Sequence, residues 1–236
     1  MQLKGLKRFY KTVTAEPARL AYTVCLDGRP VKTPGRTVMD LPTRAMAEAV
    51  AGEWAAQAKQ IDLATMPLTI LAWAAIDRVR PDRERVIDEA AAYGGHDLVC
   101  YRAEGPADLV ARQRAAWQPL LDWVARDLDV PLAATAGIVS VTQPEATLAA
   151  LRDTVSAKND FELVALGATV KATGSLVIGL ALCAGRIDAA TAQAAAHVDE
   201  TYQMEHWGED VDTARRHTGV RRDLESVARL INLLRA

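Results

Sequence analysis

The apolar residues of this 236-residue chain change their period near residue 42, and that change bounds what it can fold into. Before it, short apolar alternations are separated by turn residues. Residues 19–26 (RLAYTVCL) run into Asp27-Gly28, followed by 29–33 (RPVKT), Pro34-Gly35 and 37–41 (TVMDL). Alternation reads as short strands, and Asp-Gly between two such runs predicts a hairpin, because glycine tolerates the positive φ of a type I′ turn. After residue 42 the period is helical. Pro42-Thr43 precedes an alanine-rich helix to about Lys59, with Ala47, Val50, Trp54 and Ala58 on one face, which makes Trp54 a core residue. Pro67 opens an apolar helix to Val79, Pro81 opens a charged one to Tyr93, and Gly94-Gly95 closes it. Residues 98–101 read as a strand, 106–128 as a long helix with Pro119 as a point of kinking, and 130–142 as a loop. Further helices are expected at 144–157, 160–184, 188–210 and 219–235. The expected fold is α+β. A small β-rich N-terminal domain with hairpins and one helix (1–62) is followed by a larger α-helical domain (63–236).

Composition narrows the class. At 50% hydrophobic and 25% charged residues, the chain can build a full core and is not disordered. Lysine plus arginine (28) nearly balance aspartate plus glutamate (30), so nucleic acid is not an expected partner. The most apolar stretch, within 163–185, is interrupted by Lys171 and by Gly167, Gly174 and Gly179. It falls short of the ~20 residues of a span, so a buried helix is expected and membrane insertion is not. Cys25, Cys100 and Cys183 lie far apart with no CxxC pair, which fits reduced thiols and neither disulfides nor structural zinc. The basic start, MQLKGLKRFYKTV, has no apolar run of signal-peptide length, so a bacterial-type cytoplasmic location is expected.

No nucleotide-loop, nucleophile-elbow or zincin motif is present. Residues 167–175 (GATVKATGS) lack the Gly-Lys-Ser/Thr ending of a phosphate loop and sit in a helical pattern. His197, Glu200, Glu205 and His206 are close in sequence, but His206 directly follows Glu205, which puts those two on different faces, and all four read as polar residues of the surface. No cofactor or metal is expected. Lys171, a charge inside an apolar helix, needs a carboxylate or a path to the surface.

The stretch 189–210 (containing AAAHVDETYQMEHWGED) is the most informative. At about 100° per residue, Val198 and Tyr202 share one face, while Met204, Trp207 and Val211 lie nearly opposite. Asp199, Gln203, His206 and Asp210 form a polar stripe between them, and Gly208 ends the helix. A surface helix needs one apolar face. Either this one is sandwiched between neighbours, or its aromatic face is offered to a partner.

Several segments, in order, resemble the mitochondrial and α-proteobacterial assembly chaperones of the F1-ATPase that bind its α subunit. They are RFYK (8–11), LDGRPVKTP (26–34), EW (53–54), HDLVCY (96–101), QRAAWQPLLDW (113–123) and DETYQMEHWG (199–208). The resemblance implies a β-containing N-terminal domain, a helical C-terminal domain, no enzymatic activity, and a client: the unassembled F1 α subunit, held until the β subunit replaces the chaperone. The family's functional acid falls in the segment before Tyr202-Gln203, which here carries Asp199 and Glu200; Thr201 stands where relatives continue the acidic run. Either acid could inherit the role, or supply the carboxylate that Lys171 needs. With the polar stripe and aromatic face of the same helix, the expected partner-binding set is Asp199, Glu200, Gln203, His206 and Trp207. His96 stands where threonine is usual and is expected to alter only a turn. Two other functions compete: an enzyme with its site between the domains, and a scaffold subunit that stays in its complex.

Overall fold

The computed structural model describes residues 6–19, 21–137, 139–208 and 211–236. By contact the chain divides into two compact units, Met1–Arg83 with Arg229–Ala236, and Glu84–Ala228. Residues 63–83, read from sequence as part of the helical body, group with the first unit in that division.

In the first unit the hairpin forms where Asp-Gly predicts it. β2 (Tyr22–Leu26) passes through Asp27 (φ 49°) and Gly28 (φ 75°) into β3 (Arg29–Pro30), both φ values positive as a type I′ turn requires. An additional strand, β1 (Val13–Pro17), pairs antiparallel with β2, Val13 opposite Leu26 and Pro17 opposite Tyr22. Its apolar residues, Val13 and Ala15, are too few to stand out in sequence, and Pro17 ends it. The strand predicted over 19–26 begins only at Tyr22, and Leu20 within it lies outside the described residues. The strand expected at 37–41 reduces to isolated bridges, Lys32 with Val38 and Tyr22 with Leu41.

Helix α1 (Arg44–Ala55) is capped by Thr43, whose hydroxyl accepts the Met46 N–H at 3.1 Å and donates to the Leu233 carbonyl at 2.6 Å. Met46, Ala47, Val50 and Trp54 form its buried face; the helix stops before Ala58, which is exposed. Glu53 is buried because it closes the start of α2 (Pro67–Ala74). Its carboxylate accepts the N–H groups of Leu68 and Thr69, each at 2.8 Å, and the Thr69 hydroxyl at 2.7 Å. α2 continues through a π turn (Ala75–Val79) and a 3-10 turn (Arg80–Asp82).

The second unit is helical: α3 (Arg83–Ala92, its first residue at the boundary), α4 (Ala107–Asp127, uninterrupted at Pro119), α5 (Glu145–Ser156), α6 (Asp160–Thr173), α7 (Leu176–Ala184), α8 (Ala189–Ala196), α9 (Val198–Trp207) and α10 (Val211–Leu234, whose residues from Arg229 on group with the first unit). Residues 98–100 form a 3-10 turn rather than a strand. Pairing starts at β4 (Tyr101–Arg102), parallel to β5 (Thr135–Ala136), inside the stretch expected to be loop. The turn is drawn in by Asp97, wholly buried, whose carboxylate accepts from Val99 N–H (3.2 Å), Ser175 Oγ (2.6 Å) and Val177 N–H (2.9 Å). Burial pushes this carboxyl pKa up, against those hydrogen bonds.

The helix predicted over 160–184 is two. Gly174 turns the chain at φ 69°, and Ser175 restarts it by accepting the Ile178 N–H at 3.0 Å. α7 is buried from Leu176 to Cys183, and no described helix is long and apolar enough to cross a membrane. Lys171 takes the surface route: it is exposed and makes no ion pair among the described residues. The helix predicted over 188–210 is also two, broken at His197 (φ −114°, ψ 26°) and ended by Gly208 (φ 93°). Asp210, placed in the polar stripe, lies outside the described residues. α10 begins at Val211, well before residue 219.

Candidate functional site

α9 carries all five residues expected to meet a partner, and its two apolar faces have different fates. Val198 and Tyr202 are buried, at 9% and 5% exposure. Trp207, on the other face, is 77% exposed, and Met204 beside it is half-buried. That face is therefore open among the described residues, and the sandwich arrangement does not occur. Val211 is exposed too, but it belongs to α10, since Gly208 has already ended α9. Gln203 and His206 are exposed, while Asp199 and Glu200 are half-buried.

Polar bonds hold α9 by its inner edge. Asp199 accepts from Gln113 Nε2 at 2.6 Å, and the Gln113 carbonyl accepts the Ala103 N–H at 2.8 Å. The Tyr202 hydroxyl donates to Asp108 (3.1 Å), Arg112 pairs with Glu205 (2.6 Å), and the Arg112 guanidinium lies 5.4 Å from the Tyr202 ring centre. Trp117 donates to the Ala195 carbonyl at 2.7 Å, tying α4 to the end of α8. The His206 ring stacks on Tyr202 (4.1 Å between centres), with Nδ1 2.8 Å from the Tyr202 carbonyl.

Glu200 is the most heavily engaged acid. Arg216 donates to it at 2.9 Å, and the Nε2 atoms of His217 and His197 lie 3.1 and 3.5 Å from its other oxygen. Sequence spacing misses His217, because it meets Glu200 from α10, seventeen positions away. His197, read as surface polarity, is buried at 7%. Its burial pushes the imidazole pKa down, His217 adds to this, and Glu200 opposes it. Neither acid pairs with Lys171; their partners are on α4 and α10, with His197 between α8 and α9.

His197, Glu200 and His217 are the group among the described residues whose ligand atoms converge closely enough to hold a cation, all within 4.8 Å of one another. The geometry fits a cation poorly. The two imidazoles stack at 4.1 Å and 22°, so their in-plane lone pairs run side by side rather than converging, and Arg216 already brings a positive charge to Glu200. The cluster works as a polar clamp between α9 and α10. Along its outer side these helices border a shallow cavity of about 330 Å³, lined by Glu200, Gln203, Met204, Trp207, Gly208, Thr213 and Arg216. All three cysteines are buried and outside disulfides, and burial, with Asp97 nearby, pushes the Cys100 pKa up to about 12.

Residues 7–125 match the family model for the ATP12 chaperone protein. The chain is 23% identical over 216 residues to the mitochondrial protein atp12 of Schizosaccharomyces pombe, covering 86% of this chain and 74% of that one. Among solved structures, Atp12 from Paracoccus denitrificans is 39% identical with a TM-score of 0.93, covering 97% of this chain and 98% of that one. An aspartate-to-lysine mutant of the P. denitrificans protein superposes with the same score over 97% of each chain. The Atu1473 protein of Agrobacterium tumefaciens is 35% identical with a TM-score of 0.89, covering 97% of this chain and 85% of that one.

Proposed function

The chain belongs to the ATP12 chaperone family, and from that premise we propose that it binds the unassembled α subunit of the F1-ATPase, keeps it from aggregating and releases it to the β subunit, without catalysing a reaction. An unassembled α subunit exposes the apolar surface that β later covers, and such a surface aggregates unless shielded. Shielding needs an apolar contact with a charged rim, not a nucleotide or a metal.

The observation that carries this reading is the open aromatic face of α9, Trp207 at 77% exposure, on a helix whose Asp199 has no ion-pair partner among the described residues. Of the two acids, Asp199 is the one free to meet a partner. Its bond comes from a neutral amide, and no cation lies within ion-pair distance of it among the described residues. Glu200, by contrast, is neutralised by Arg216 and held by two histidines, so its role is to fix α9 against α10. Gln203, His206 and Trp207 extend the contact along α9.

Release follows by competition. A holder that uses no ATP must bind α less tightly than β does. The test is co-purification of this chain with separately expressed F1 α and β subunits in the absence of nucleotide. Retention of α but not β is expected, and retention of neither, or of both equally, contradicts the proposal.

A further inference from the structure

The first unit contains a feature that the α9 surface does not use. A cleft of about 670 Å³ is lined by aromatic and aliphatic side chains, among them Phe9, Tyr10, Trp54 and Trp73. This volume lies in the range of built ligand sites. Its aromatics touch in series: Phe9 to Tyr10 at 5.3 Å, Tyr10 to Trp54 at 5.8 Å and Trp54 to Trp73 at 6.4 Å between ring centres. Phe9 is 65% exposed. Trp54 and Trp73 each bury an indole N–H that finds no acceptor among the described residues, although buried donors are nearly always satisfied.

One wall of the cleft is basic. Arg29, Lys32 and Arg36 line it and are exposed. Two acids lie against this wall, Asp27 and Asp77, and neither forms an ion pair with those three cations among the described residues; Asp27 accepts from Lys11 N–H (3.0 Å), Thr12 N–H (2.8 Å) and the Thr12 hydroxyl (2.9 Å). The wall is also held in place. Asp77 accepts from the Thr33 hydroxyl at 2.6 Å and from the Gly35 N–H at 2.7 Å, and a Cβ at Gly35 would sit 2.7 Å from that carboxylate. Arg36, a non-glycine residue, sits at φ 67°. Non-glycine residues in the left-handed region persist where the surroundings hold them, often at sites of binding.

We infer that this cleft is a second docking site for the client polypeptide, and that it takes an apolar segment of that polypeptide flanked by carboxylates. The inference rests on the chaperone reading above. Apolar side chains of such a segment fit the aromatic floor, and its acids answer the three cations. A pinned wall lowers the ordering cost of binding.

Site-specific photocrosslinking tests this on the full chain. Benzoylphenylalanine replaces Lys32 in one variant and Trp207 in another, and each is irradiated with the F1 α subunit. Crosslinks from position 32 to an apolar, carboxylate-bearing segment of α are expected, together with crosslinks from position 207. Crosslinks from 207 alone overturn the second site and leave the chaperone reading standing. Crosslinks from 32 only to a second copy of this chain, or to its own residues 1–5, also overturn it. Crosslinks from neither position overturn both readings. The triple variant Arg29→Glu, Lys32→Glu, Arg36→Glu adds a charge test. It should melt normally and bind α at least tenfold more weakly, with a shallower salt dependence; wild-type affinity and salt dependence contradict the inference.

Discussion

The cleft around Trp54 and the ridge around Trp207 hold their aromatic side chains in opposite ways, Trp54 buried at 4% exposure and Trp207 open at 77%. In the cleft, the aromatics are packed on one another and on α1, and the walls are fixed by backbone N–H groups that donate to carboxylates, Gly35 to Asp77 and Lys11 and Thr12 to Asp27. On the ridge, Trp207 projects from the last turn of α9, and what fixes that helix is side chains meeting side chains: Asp199 with Gln113, Glu200 with Arg216 and His217. Backbone-anchored surfaces are rigid and change little with pH or salt. Surfaces held by exposed and half-buried side chains are weaker and respond to both. The comparison therefore assigns stability to the first region and adjustability to the second.

Removing the central ring of the cleft is the strongest way to break this comparison. Trp54 is 4% exposed and also receives, on its carbonyl, the Tyr10 hydroxyl at 2.7 Å. Trp54→Ala should cost about 3–5 kcal/mol of stability, read as a large drop in thermal midpoint. Trp207→Ala should leave the midpoint within about half a kcal/mol of wild type and weaken α binding. Equal effects of the two substitutions on stability would erase the distinction.

The two acids of α9 sharpen it further. Glu200→Lys places a cation among Arg216, His197 and His217 and should destabilise the chain by roughly 1–2 kcal/mol. Asp199→Lys leaves the buried Gln113 amide without its acceptor and should cost about 1 kcal/mol of stability, no more than Glu200→Lys, while losing about 2 kcal/mol or more of binding to α. Thermal unfolding and α titration on both variants decide it. The reverse pattern, with Asp199→Lys unstable and Glu200→Lys defective only in binding, would exchange their roles.

The smallest effect is a pH response confined to the ridge. Burial holds His197 below the free-imidazole pKa of about 6.5, so the unfolded chain takes up this proton first as pH falls. The contribution is fully present above about pH 6.5 and is lost as pH falls through that value toward the lower folded one. His197→Gln should flatten the midpoint-against-pH curve between about pH 7 and 5, by less than about 1 kcal/mol. An unchanged curve would remove His197 as its source.

Local chemistry was legible in the sequence; long-range partners were not. Asp27-Gly28 announces its hairpin because the turn needs two positive φ values that this dipeptide accepts. Spacing placed Trp54 in the core and put two apolar faces on α9, but could not say whether the second was covered. The break at Gly174-Ser175 is local, a left-handed glycine and a serine cap masked by the continuous apolar run, whereas the one at His197 was hidden because its stacked partner, His217, comes from elsewhere in the chain. The cleft was invisible for the same reason. Its floor and walls come from four separated segments, each reading as ordinary core or turn. Several segments that carry the family resemblance prove to be clamps. Glu53 closes α2, Asp97 closes α7, and Gln113 positions Asp199.

The most direct measurement of the central claim is light scattering during refolding of the F1 α subunit at fixed concentration, with and without an equimolar amount of this protein and with no ATP. The account predicts a marked suppression of scattering by the wild-type chain and a weaker one by Asp199→Lys at the same folded concentration. Equal scattering with and without the wild-type chain would contradict it.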